Sequence, residues 1–170
     1  MKRFYLILGL ILFSFPVLSQ SPEDRLEDLG ITLPEVSKPV ANYVKYVRTG
    51  NLIFLAGHGP CGGEFKRGKV GQDLTVEEGY DAARLAGVCV LATLKDAIGD
   101  LSKVKRVVRV LGMVNATDDF TDHSKVINGF SDLMTEVFGE SGKHARAAVG
   151  MASLPTNIPV EVEMIVEIAE

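Results

Sequence analysis

Apolar positions recur with two periods along this chain, and the alternation between them outlines a fold. Ala82, Ala83, Leu85, Ala86, Val90, Leu91 and Leu94 fall on helical spacing. Thr75-Val-Glu-Glu78 supplies a capping box in front of them and Gly99 a stop behind, so a long helix is predicted over this stretch. Phe120, Ile127, Phe130, Leu133, Met134 and Val137 make a second helical stripe, predicted from Asp118 to Phe138 with Thr117 as its cap and Gly139 as its end. Period-two alternation marks the strands. Tyr43 to Arg48 and Leu52 to Ala56 read as a hairpin around Gly50-Asn51, and Val104 to Val114 as a longer strand. Two more strands flank a Leu154-Pro155 break. The order is β-β-α-β-α-β-β, which predicts an α+β domain with two helices on one face of a single sheet. Ahead of it, Ser21-Pro22-Glu23-Asp24 opens a short helix ending at Gly30, and Pro34 and Pro39 make the rest of residues 21–40 an extended lead-in.

The last two strands carry the candidate chemistry. Val149 and Met151 in one, and Val160, Val162 and Met164 in the other, are expected to face the core. Arg146 with Ala148, and Glu161 with Glu163, then share the face that helices leave open. A guanidinium and a carboxylate there suggest a carboxylate-binding site with an acid/base group beside it, against the plainer reading of a solvated surface ion pair. Were the two strands adjacent around Pro155, Arg146 would lie roughly 20 Å along the strand from Glu161. The two could meet only if another strand intervenes or a second subunit contributes.

The pattern R-x-x-V-x-x-x-x-L-P-x-x-x-x-V-E-V-E from Arg146 to Glu163 resembles the Rid family, the YjgF-like reactive-intermediate deaminases that also carry an L-PSP endoribonuclease label. Asn42-Tyr43-Val44, Gly50-Asn51-Leu52, Ala56-Gly57-His58, Asp119-Phe120 and Asn128 extend the likeness over residues 41–170. The longer front end and Val149-Gly150 inside the motif resemble a less characterised branch. The resemblance implies a chorismate-mutase-like homotrimer with sites in the clefts between subunits. It implies hydrolysis of an enamine or imine of an amino acid to a 2-oxo acid and ammonia, with no metal or organic cofactor. By similarity Arg146 grips the substrate carboxylate, Glu161 directs the attacking water, and backbone N–H groups near Gly57 and Ala148 sit beside the substrate. Tyr43 and Asn128 match positions that line the cleft. Where many relatives carry Ser-Gly-Gln and Cys, this chain has Ala56-Gly57-His58 and Ala148, and His58 either replaces lost polarity or is a loop histidine bonded to backbone. Non-catalytic binding of a small carboxylic acid is the alternative.

The remaining sequence narrows these readings. Lys2-Arg3 followed by the apolar run Phe4 to Leu18 is read as a secretory signal over residues 1–20, cleaved near Ser19 or Gln20, with an uncleaved anchor as the alternative. Export to the periplasm or medium is therefore expected, without a stable membrane anchor. Removing that segment leaves 16 basic and 22 acidic residues, a net charge of −6, which counts against holding a phosphate backbone and hence against endoribonuclease activity. Gly63-Glu-Phe-Lys-Arg-Gly68-Lys69 nearly spells a phosphate-binding loop, but Val70 follows and no helix begins there, so a hairpin tip is the better reading. His58 and Cys61 lack a second ligand pair at zinc spacing. Cys61 in a glycine-rich loop and Cys89 in an apolar helix are read as unpaired, although an oxidising compartment permits a bridge.

Overall fold

The computed structural model describes residues 20–39 and 41–169, so the expected signal segment lies outside the described residues apart from Gln20. The elements in chain order are α1 (Pro22–Asp28), β1 (Tyr46–Thr49), β2 (Leu52–His58), α2 (Val76–Ile98), β3 (Val104–Asn115), α3 (His123–Phe138), β4 (Ala145–Met151) and β5 (Val160–Ile168). The five strands form one mixed sheet in the order β1-β2-β5-β3-β4. Only β3 and β4 pair in parallel, because α3 crosses over between them; the other three pairings are antiparallel. This is the expected α+β architecture, with α1 as a third helix.

Both long helices lie against one sheet face. Val107, Val110 and Val114 of β3 and Val160, Val162, Met164 and Val166 of β5 point at them and are buried. Phe130, Ile127 and Leu133 of α3 and Leu91 and Leu94 of α2 fill the space between. Small residues let these layers approach closely: Gly112 lies beneath Ile127, and a side chain at Gly129 would overlap the backbone of Tyr80. The caps of α1 and α2 form as predicted, with reciprocal bonds between Ser21 and Asp24 and between Thr75 and Glu78.

Four expectations need correction. Helix α3 starts at His123, not Asp118, because Thr117 to Phe120 folds as a turn closed by Phe120 N–H to the Thr117 carbonyl. The glycine-rich loop is not a hairpin tip. Gly68 N–H donates to the Asn157 carbonyl, and the Lys69 ammonium donates to the carbonyls of Ala116 and Ala152, so this lysine ties the loop to the ends of β3 and β4. Cys61 and Cys89 are joined as a disulfide, their Cα atoms 5.9 Å apart, which fastens that loop to the middle of α2. Finally, Val149 does not face the core. It stands exposed on the helix-free face, while Arg146 and Ala148 lie on the helix side, paired in register with the inward-facing Val110 and Gly112.

Candidate active site at the sheet edges

Glu161 and Glu163 occupy the helix-free face as expected. Phe54 and Ile165 pair across β2 and β5, and Ile165 and Arg109 across β5 and β3. Val47 extends this row on β1, and Val44, Val47, Phe54 and Val149 are all large apolar side chains left exposed. A shallow hollow of about 290 Å³ opens among Val44, Val47, Phe54, Arg109, Leu111 and Glu163. Exposed apolar side chains gathered in this way are typical of surfaces that make contacts.

At one end of that face the Glu161 carboxylate covers the backbone of Gly57, so closely that a methyl group there would overlap it. Glu161 is half-buried and has no hydrogen-bond or ion-pair partner among the described residues. Burial, and secondarily the charge of Glu163, raise its pKa above the ordinary carboxylate value. A more basic, unpartnered carboxylate is suited to taking a proton from water.

Arg146 is held differently. One terminal nitrogen donates to Asn128 Oδ1 at 3.0 Å and to Ser131 Oγ at 2.9 Å, and the other reaches the Ser124 carbonyl at 3.4 Å. All three acceptors are neutral, so the guanidinium keeps its full charge for a ligand. Asn128 was expected at the site, whereas Ser124 and Ser131 were not. Their spacing with Asn128, at i, i+4 and i+7, makes a polar stripe on α3 that could have revealed them.

These groups do not converge within one protomer. Glu161 lies opposite Met113 on β3, and Arg146 opposite Val110, with β3 between them. Two strand spacings across and three residues along separate their Cα atoms by roughly 14 Å, on opposite faces of the sheet. Tyr43 is exposed just ahead of β1, the strand at the opposite edge from β4 and roughly 19 Å from it. Ala148 sits beside Arg146 but brings only a methyl group, half-buried against the core.

His58 is turned inward. A bulge between Leu55 and His58 aims the ring at α2, where it is buried. The Ala56 carbonyl lies 2.7 Å from Nδ1 and can only accept, so Nδ1 carries the proton and Nε2 accepts from the Thr93 hydroxyl at 2.8 Å. Burial lowers its pKa, which keeps the ring neutral at physiological pH.

Residues 23–168 match the model of the family described as "YjgF/chorismate mutase-like, putative endoribonuclease". The chain belongs to this family. Among YjgF-like relatives, the protein TCP17 of Trypanosoma cruzi is 45% identical over 85% of this chain and 92% of its own length. A 2-iminobutanoate/2-iminopropanoate deaminase of Dermatophagoides farinae is 29% identical over 81% of this chain and 94% of its own. The solved structure of a Shewanella oneidensis protein with the same endoribonuclease designation superposes with a TM-score of 0.84 at 37% identity, covering 88% of this chain and all of that one. The structure of an Agrobacterium tumefaciens protein of unknown function does so with a TM-score of 0.79 at 46% identity, covering 86% and 91%.

Proposed function

We propose that this YjgF-like protein hydrolyses enamine or imine forms of amino acids, at sites shared between the subunits of a homotrimer. The observation that carries this reading is the pair of unspent charges: among the described residues Arg146 is bonded only to neutral acceptors, and Glu161 has no partner. Arg146 takes the substrate carboxylate in a bidentate grip, and the backbone beside Gly57 and Ala148 lines the bound molecule. An enamine first tautomerises to its imine; Glu161 then takes a proton from water as the oxygen adds to the imine carbon and returns it to the nitrogen. The resulting carbinolamine expels ammonia and leaves the 2-oxo acid, so one water is consumed and no cofactor takes part. The kinship with an imine deaminase of Dermatophagoides farinae supports the reaction class.

The geometry of the sheet supports a site shared between copies. A site using Tyr43, Glu161 and Arg146 together needs the β1 end of one copy near the β4 edge of another, and the exposed Val47, Phe54 and Val149 give copies a surface to bury. Light scattering at micromolar concentration should give three times the protomer mass, and a monomer would remove the shared site. Release of 2-oxo acid from freshly generated 2-aminoacrylate or 2-iminobutanoate by the purified protein tests the activity, and no rate above the spontaneous one would reject it.

A binding-only module is the second reading. Ala148 brings no functional group and the His58 ring is turned into α2, so Glu161 is left as the acid/base group of the site. Export remains part of the proposal, supported by the Cys61–Cys89 bridge, which suits an oxidising compartment.

A further inference from the structure

We propose that His144 is a positioning residue for Arg146, acting through the Ser131 hydroxyl, and that proton uptake by its ring loosens the carboxylate grip. This rests on the reading of Arg146 as the carboxylate-binding group. The contact order is set by what each atom can do. The Gly142 carbonyl, 2.6 Å from His144 Nδ1, can only accept, so Nδ1 carries the proton. In the neutral ring Nε2 then accepts, and the Ser131 hydroxyl, 3.0 Å away, donates to it. With its proton so directed, Ser131 Oγ turns a lone pair to Arg146, whose N–H donates at 2.9 Å. The chain of bonds polarises each member in the same sense and strengthens the last one.

The Gly142 carbonyl favours a charged imidazole, but burial outweighs it. From β4 the ring faces the Arg146 guanidinium, and from its own loop the adjacent Lys143, which is paired with Glu140. From α3 it meets the edge-on ring of Phe130 and the Ser131 hydroxyl, while the Thr135 hydroxyl is occupied by the Ser131 carbonyl. No carboxylate lies within ion-pair distance of it among the described residues. Burial, and the nearby Arg146 charge, hold its pKa below the usual histidine value.

Protonation reverses one bond of this chain. Nε2 becomes a donor, the Ser131 proton must turn away, and Oγ then receives two cationic donors that repel each other. Arg146 loses that anchor and depends on Asn128 and the Ser124 carbonyl. The cost to a ligand is the ordering of one long side chain, about fivefold in affinity.

The test titrates 2-oxobutyrate, ionised throughout, between pH 8 and pH 5. Glu161→Gln serves as the background, removing the proposed acid/base carboxylate so that its titration does not overlap that of His144. In that background affinity should fall on acidification, by about fivefold once the ring is protonated. Adding His144→Gln should make the profile flat, and adding Ser131→Ala should make it flat and weak at every pH. If Arg146→Ala binds as tightly as its parent, the grip itself is refuted. If Arg146→Ala abolishes binding while parent and His144→Gln share one pH profile, the grip stands and the role of His144 is refuted. Nitrogen-15 shifts of the wild-type imidazole give an answer independent of any variant: the Nδ1–H form is expected, and the Nε2–H form would overturn the proposal.

Discussion

Arg146→Ala is expected to lower affinity for 2-oxobutyrate about 100-fold, on the order of 3 kcal/mol for a charge-assisted bidentate contact. Arg146→Lys should recover little of it, since a point charge cannot copy a planar fork or hold Asn128 and Ser131 together. Glu161→Gln should behave in the opposite way. It keeps the volume over Gly57 and so keeps ligand binding, but should lose roughly 10²- to 10⁴-fold in turnover because the amide cannot accept a proton. The pH profile follows in sign. Because the Glu161 pKa is raised, its basic form is lost at a higher pH than for an ordinary carboxylate, and turnover should decline on acidification through that value. Steady-state kinetics on an imine substrate and calorimetry with the 2-oxo acid separate the two effects. Equal binding by all three variants and the wild type would place the site elsewhere.

The second large effect concerns the bridge. Cys61 and Cys89 close a loop with a sequence separation of 28, and opening it should cost about 3.5 kcal/mol through the greater freedom of the unfolded chain. For a domain of this size that corresponds to a fall in Tm of about 10 °C. Thermal melts with and without reductant, at equal protein concentration, measure it. The double variant Cys61→Ser, Cys89→Ala should melt with the reduced protein. An unchanged Tm, with both thiols shown to be free, would mean that the loop is already fixed by other contacts, such as Gly68 to Asn157.

Local signals were legible in the sequence wherever the chain's neighbours in space are also its neighbours in order. Both ends of α2 were readable because Thr75, Glu78 and Gly99 act on backbone groups a few residues away. The start of α3 was not, because Thr117 closes a turn that in sequence resembles a cap. The face of β4 was misread for a physical reason. Apolar Val149 suggested a core position, yet the inward positions hold Ala148 beside Gly112 and Arg146 beneath the polar stripe of α3. An edge strand only partly covered by its helix needs small or polar residues there. Family likeness named Arg146 and Glu161, but the strand between them depends on the order β1-β2-β5-β3-β4, which no local pattern encodes. The bridge was missed likewise, since the approach of the glycine-rich loop to α2 is a long-range outcome of that topology.

The position of β5 has a consequence for how the molecule comes into being. It is synthesised after the other four strands, yet it lies between β2 and β3 and pairs with both. Until it emerges, β1–β2 and β3–β4 are two separate ribbons with no hydrogen bonds joining them. A two-stranded ribbon is marginal on its own. Such a chain cannot close its sheet before β5 has been made. Glu161 arrives on that same strand, so the carboxylate enters the site in the step that seals the fold.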